Sequence, residues 1–391
     1  MVDYFVQYEV INMFKRGISM IVLNLELDNI YSFKDFKVNF SYPKRVIKST
    51  IEGEYLKERP NFRYRKAVIL MGSNGSGKTT LGRALLRIFR FIELGDFSYI
   101  REMIGDPSKP ASFSIDFVNG DNVLNRLVLE AEKRGEKTYS SSFCVTVMQA
   151  SIGVNDTYEK AVGKLVEILP KRNVMLSDFF RCIFGDIEYS FALLDESNKE
   201  HNTSDINQEL FLSVLKAVIG TLDPTLTDIS VLEGVEDSYV IRRNGQEIIL
   251  QKGKLLGGEF LSSGTLKGID IAILMAKIIS SNNGFYYCDE HFSYVQTDLE
   301  KRLFGIMLEY LGDNEQLIFT THNSDMMDLN LPKHTYAFLS KKKEDNEYII
   351  RMKYASDVLK RNTDSVRSAC ENDVFSSIPD ETLLDELEKI R

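Results

Sequence analysis

Eight consecutive residues, Gly72-Ser73-Asn74-Gly75-Ser76-Gly77-Lys78-Thr79, carry the most specific chemical signal in the chain. They fit G-x-x-x-x-G-K-[ST] and sit between a short apolar run and a helical one, the context that marks a phosphate-binding loop. The glycines let backbone N–H groups curl around phosphate oxygens. The helix that follows points its positive end at them. Lys78 is placed to reach the β- and γ-phosphates of a nucleotide, and the Thr79 hydroxyl is placed to ligate Mg²⁺. Thr80 extends the set by one residue.

Three further signals follow in chain order. Leu261-Ser262-Ser263-Gly264-Thr265 precedes a helical run; taken alone, Ser and Thr there are good helix caps. An apolar strand, Phe285-Tyr286-Tyr287-Cys288, ends in Asp289-Glu290, 28 positions after Leu261. Beside a phosphate-binding loop that pattern reads as a Walker B element. Asp289 then belongs to the Mg²⁺ shell, and Glu290 orients or deprotonates an attacking water. Without the loop, the same residues fit a strand ending in a solvated turn. Phe319-Thr320-Thr321-His322-Asn323 places a histidine just after a strand, 32 positions beyond Glu290. A lone histidine is commonly structural. In this order, His322 suits sensing of a γ-phosphate.

The elements that must position these residues are legible from periodicity. Residues 21–27 (IVLNLEL) and 36–40 (FKVNF) alternate as strands, and residues 67–71 (AVILM) form a short continuous apolar run, the mark of a strand buried on both faces. Residues 41–65 are polar and basic, with Pro43 and Pro60, and read as an inserted loop or lid. Helical spacing covers 81–91. Strands at 113–118 and 123–129 flank Asn119-Gly120-Asp121, a hairpin signal, and 143–148 continues that antiparallel set. From 158 to 222 the spacing becomes helical, interrupted by the polar stretch 196–205 (ESNKEHNTSD), read as an exposed loop. Strands return at 229–231, 239–243 and 248–251, with Asn244-Gly245 as a turn. A helix (264–280), a strand (285–288), a helix (299–311) and a strand (317–320) follow, with late strands near 336–339 and 348–353. No internal repeat and no sustained heptads are visible, which excludes long coiled-coil arms.

The collinear order of these motifs resembles the ABC-type ATPase fold, in its SMC/RecF-like branch. The resemblance spans roughly residues 20–355. It implies an α/β fold: a P-loop NTPase head of ABC type with an antiparallel β lobe and a helical insertion. Leu261–Thr265 resembles the ABC signature, with Ser263 where many members have Gly. Asp289-Glu290-His291-Phe292-Ser293-Tyr294-Val295-Gln296 resembles the D-E-x-x-S-A-L-D run, with Gln296 in place of the usual Asp of the D-loop. Gln149 is the best candidate for the Q-loop glutamine. The domain division that results is 1–157 and 223–355 for the two parts of the head, 158–222 for the helical insertion, and 356–391 for a helical tail. The resemblance also implies two ATP molecules sandwiched head to tail between two copies. Lys78, Glu290 and His322 of one copy then act on a nucleotide capped by Ser262, Ser263 and Gly264 of the other.

Composition bounds the setting. In 391 residues, 48 Lys and Arg stand against 57 Asp and Glu, a net charge of −9. No chain-wide basic field therefore draws in nucleic acid or anionic lipid, and a nucleic-acid partner needs a local patch. Four scattered cysteines with no C-x-x-C argue against a disulfide framework and a zinc ribbon and for reduced thiols in the cytoplasm. No apolar run approaches the roughly 20 residues of a membrane span, so no membrane partner is expected. Residues 1–19 read as a short helix or as an upstream extension.

The 181 residues between Thr79 and Leu261 are too few for SMC-length arms, and Ser-Gly-Thr departs from the Gly-Gly-Gln usual in transporter signatures. The compact architecture resembles stand-alone ATPase subunits of bacterial anti-phage defence systems, PARIS-like, OLD-like or Septu-like. That likeness implies an antiviral switch acting on a separate effector, a toxin or nuclease. The alternative is a RecF-like DNA-repair ATPase that clamps DNA on binding ATP; a scaffold without turnover is disfavoured by Glu290. Only 61 residues follow Asn330, with no Asp-x-Asp, which argues against an intrinsic Toprim nuclease. Lys341-Lys342-Lys343 fits a solvated turn and also a DNA or RNA phosphate contact. In residues 378–387, Leu383, Leu384 and Leu387 form an apolar stripe on an expected helix, suited to packing on its own domain or to docking a partner.

Overall fold

A computed structural model describes residues 20–42, 49–120, 122–132, 143–170, 174–193, 203, 205–280, 284–293, 295–344, 347–361 and 363–376. The expectations for 1–19, for most of 196–205 and for the helix at 378–387 lie outside these residues, as does Tyr294.

The strands in chain order are β1 (Ile21–Asp28), β2 (Phe36–Asn39), β3 (Tyr55–Leu56), β4 (Arg59–Arg63), β5 (Ala67–Met71), β6 (Ala111–Asn119), β7 (Val123–Ala131), β8 (Phe143–Ser151), β9 (Val166–Glu167), β10 (Tyr189–Ala192), β11 (Leu226–Val231), β12 (Ser238–Arg243), β13 (Gln246–Gln251), β14 (Lys254–Leu256), β15 (Phe285–Asp289), β16 (Gln316–Thr320), β17 (Tyr336–Glu344) and β18 (Glu347–Tyr354). The helices are α1 (Lys78–Leu94), α2 (Ser98–Arg101), α3 (Tyr158–Val162), α4 (Leu176–Phe184), α5 (Gln208–Leu222), α6 (Ser263–Ile279), α7 (Thr297–Tyr310), α8 (Ala355–Val358) and α9 (Val366–Glu371).

The chain is mixed α/β, built around a central sheet of order β10-β15-β16-β5-β17-β18. Its first five strands run parallel and β18 closes one edge antiparallel. All five residues of β5, β15 and β16 are buried, because both faces of this sheet are covered. On β5, Val68 and Leu70 enter one core with α1, α4 and the six-stranded antiparallel sheet β2-β1-β6-β7-β8-β9. Ile69 and Met71 enter a second core with α5, α6, α7 and the antiparallel sheet β11-β12-β13-β14. The period-two alternation of a strand thus feeds two different apolar layers.

Two segments differ from the sequence reading. Residues 41–65 are no open lid over the part described: β3 and β4 pair, and Leu56, Phe62 and Tyr64 are buried against Ile21, Leu23 and Val118. The polar spacing of this segment hid its alternate apolar residues. The described residues of 158–222 form three helices but also β9, at the edge of the antiparallel sheet, and β10, which pairs with β15 in the central sheet. Tyr189 and Phe191 pack edge-on against Phe89, and Phe191 stacks on Tyr287 at 5.7 Å. Aromatic packing therefore holds as sheet a short run that periodicity alone assigns to helix. No disulfide joins any of the four cysteines. Among the described residues, no helix is long and apolar enough to cross a membrane.

Candidate functional site

The loop 72–77 joins the C-terminal end of β5 to the N-terminus of α1, so the helix dipole and its first free N–H groups face the loop's hollow. Gly77, the N-cap of α1, has φ +111°, and a Cβ there would lie 3.2 Å from Ile350 Cδ1. At Gly72 a Cβ would fall 2.6 Å from the Leu339 carbonyl oxygen. Only glycine fits either position. The helix is tied to the neighbouring strand as well. The Tyr287 hydroxyl of β15 donates to the Lys78 carbonyl at 2.7 Å, and Gly82 lets that ring approach α1.

Lys78 is buried, yet its ammonium has three partners. It donates to the carbonyls of Gly72 (2.6 Å) and Ser73 (3.3 Å) and pairs with Glu290 Oε1 at 3.0 Å. His322 Nδ1 lies 3.3 Å from the same carboxylate oxygen. Glu290 is thus the meeting point of a cation from the loop and a histidine from the end of β16. Its backbone sits at φ +48°, a left-handed conformation uncommon for a residue with a long side chain. The Ser293 hydroxyl and N–H both donate to the Glu290 carbonyl, at 2.6 and 3.2 Å, and hold that turn.

Asp289 lies behind Glu290 and is fully buried. Thr320 donates its hydroxyl to Asp289 Oδ1 at 2.9 Å and accepts the Glu290 N–H at 3.1 Å. Asp289 Oδ2 makes no hydrogen bond of normal geometry. Burial pushes this carboxyl up from the usual range, opposed by the hydroxyls of Thr79 and Thr320. A buried carboxylate with an unmatched oxygen next to a threonine hydroxyl suits one face of a Mg²⁺ shell, the remaining ligands coming from water and phosphate. The donor set therefore fits the metal expected from the sequence. Among the described residues no cluster of three or more His, Cys, Asp and Glu offers an all-protein metal cage.

Asn74, Gly75, Lys78, Thr79, Lys267, Glu290, Ser293 and His322 line one open cleft of about 520 Å³. Of the residues expected from sequence, Gly72, Ser73, Ser76 and Gly77 shape the loop behind that lining, and Thr80 follows on α1. Gln149 does not line the cleft. It lies in β8, where its amide donates to Asn125 Oδ1 at 2.7 Å and to the Ile183 carbonyl at 3.3 Å. Ser262, Ser263 and Gly264 do not line the cleft either. Ser262 caps α6, accepting the Thr265 N–H at 3.1 Å, and Ser262 and Ser263 are exposed. A larger cavity of about 990 Å³ lies beside β12 and β13, lined by Leu232, Glu233, Glu236 and Tyr239 among others. It gathers no comparable set of phosphate-binding groups.

Sequence reasoning missed three contributors. Thr320 joins the Asp289 carboxylate to the Glu290 backbone N–H, and its position at the end of the strand beside β15 was the available signal. Glu300, in the first turn of α7 and buried, accepts from the Thr321 hydroxyl at 2.8 Å and from the Asn323 amide at 2.6 Å, the two neighbours of His322. Lys267 enters from α6. Nothing local in the sequence marks Glu300 or Lys267, because both act across contacts between elements.

No protein-family model matches the chain, and no curated protein does. Among solved structures it is similar to an SMC head bound to the C-winged helix domain of ScpA, at 17% identity over 87% of this chain and 99% of that one, TM-score 0.49. It is similar to the SMC head domain from Thermotoga maritima at 15% identity over 84% and 97%, TM-score 0.41. The recombination mediator protein RecF matches at 11% identity over 86% and 100%, TM-score 0.41. The functional reading rests on the geometry of the cleft.

Proposed function

We propose that the chain is an ATP-binding and ATP-hydrolysing switch of ABC type, in which ATP joins at least two heads. The observation that carries the reading is the convergence of Lys78 and His322 on Glu290, beside the half-satisfied Asp289 carboxylate and the Thr79 hydroxyl. When bound, the nucleotide would supply a terminal phosphoryl group open to attack by water, and Mg²⁺ would offset the charge developing on it. Thr79 and Asp289 would hold the metal. The glycine loop's N–H groups bind the phosphates, and Lys78 leaves its contacts with the Gly72 and Ser73 carbonyls to join them. Glu290, released from Lys78, accepts the proton of the attacking water, and His322 orients that water or senses the γ-phosphate. Ser262, Ser263 and Gly264 lie away from their own cleft and face solvent or only partly buried space, which suits capping of a nucleotide held by a second copy.

At the finer level we favour control of a separate toxin or nuclease in anti-phage defence, with the acidic charge balance as its support. The RecF-like reading, a clamp on DNA, has its support in Lys341, Lys342 and Lys343, exposed on the outer half of β17. Purified protein separates the two. Under the first reading it binds no duplex DNA with or without ATP. Tight DNA binding with a steep salt dependence favours the second. The ATPase reading itself is tested by Lys78→Ala, which is expected to abolish nucleotide binding; full retention of ATP by that variant contradicts it.

A further inference from the structure

Lys267 lines the cleft together with Lys78, Glu290 and His322, yet it comes from α6, the helix that begins at the exposed Ser263 and the half-buried Gly264. Three residues further along α6, Asp270 is buried and pairs with His291 Nε2 at 3.2 Å, while His291 Nδ1 contacts the Asp289 carbonyl at 2.8 Å. Residues three apart share a helix face. The Asp270–His291 contact therefore pins that face of α6 to the end of β15 and turns Lys267 toward the Asp289–Glu290 carboxylates. Partial burial lowers the proton affinity of the Lys267 ammonium, and Asp289, Glu290 and Asp270 act against that by favouring its charge.

The cleft thus holds two lysines in its lining, of which Lys78 pairs with Glu290 and Lys267 lies within the field of Asp289 and Glu290. Lys78 holds Glu290 in the present arrangement, but the phosphates of a bound nucleotide compete for the same ammonium. Resting on the ATPase reading, we propose that Lys267 is a positioning residue for Glu290: it takes over as the carboxylate's cationic partner when Lys78 turns to the terminal phosphates. A glutamate stripped of its cation beside phosphate oxygens is repelled from them, away from the attacking water. Lys267 offsets that repulsion without competing for the loop. It also sits one turn from the Ser263-Gly264 end of α6. Contact of that end with a second copy's nucleotide is therefore transmitted through one rigid turn to Glu290.

The test uses the full chain with Lys267→Met, which keeps the length and helix preference of the side chain, and Lys267→Arg, which keeps the charge. Nucleotide affinity is measured with a fluorescent ATP analogue, and turnover from phosphate release over a range of ATP concentrations. The expected result is that Lys267→Met binds nucleotide within about threefold of the parent, loses roughly 30-fold or more in kcat with KM little changed, and that Lys267→Arg regains most of the rate. Turnover by Lys267→Met within twofold of the parent overturns the proposal. So does a rise in KM at unchanged kcat, which would make Lys267 a simple substrate tether. Equal loss of turnover in Lys267→Met and Lys267→Arg overturns it as well, since a fold defect and not charge would then be responsible. A parent chain that binds no ATP overturns the ATPase reading and this proposal together. Where the parent hydrolyses ATP, any of the three contrary results overturns the role of Lys267 alone.

Discussion

At the scale of single residues, Glu290 concentrates the chemistry. It accepts a cation from the loop and a histidine from the neighbouring strand end, and its own backbone is held left-handed by Ser293 and Thr320. Glu290→Gln keeps the shape and removes the base. Turnover is expected to fall by about 100-fold or more while bound ATP is retained, checked by phosphate release and by nucleotide content after gel filtration. Parental turnover in that variant would move the base elsewhere. The residues that converge at the cleft were legible from sequence because Gly-rich loop, Asp-Glu pair and histidine are each local patterns. Their partners were not. Thr320 is one of several threonines in the chain, and only the parallel register of β15 and β16, with Asp289 opposite Thr320, brings it to the Asp289 carboxylate and the Glu290 N–H.

At the scale of elements, the site depends on how helices are fastened to the central sheet. Gly82 lets α1 approach Tyr287, and a Cβ there would fall 2.6 Å from the ring and 2.9 Å from Leu193. Gly82→Ala is therefore expected to lower stability by about 1–3 kcal/mol, read from urea unfolding; an unchanged midpoint would mean that the ring shifts freely. Glu300 fastens α7 to the loop that carries His322. Glu300→Ala removes both bonds, leaving the buried Thr321 hydroxyl without its acceptor and the half-buried Asn323 amide with Thr297 alone, so a loss of about 1–3 kcal/mol is expected, with kcat reduced at little change in ATP affinity. The strands and helices that flank the motifs were readable from alternation and apolar runs. The hairpin β3–β4 and strand β10 were not, because their burial comes from partners far away in the chain: Leu56 and Phe62 against Val118, Phe191 against Phe285 and Tyr287.

At the scale of the whole molecule, the proposed switch leaves the site of one chain incomplete. The cleft gathers the groups proposed to bind nucleotide and activate water, while Ser262, Ser263 and Gly264 lie outside its lining at the start of α6. A negative charge placed there would repel a phosphate brought by a second copy. Gly264→Asp is expected to bind ATP with near-parental affinity but to remain unassembled and hydrolyse it poorly. Mixing it with Lys78→Ala restores at most one complete site per pair, a distinction that turnover of the mixture reads directly. The net charge of −9 fits a protein partner for such an assembly better than a chain-wide attraction to nucleic acid. The measurement that bears most directly on the switch is the light-scattering mass of Glu290→Gln with and without Mg-ATP. The account predicts a rise to at least twice the monomer mass with Mg-ATP, reversed when nucleotide is removed. A mass that stays monomeric with ATP bound would contradict it.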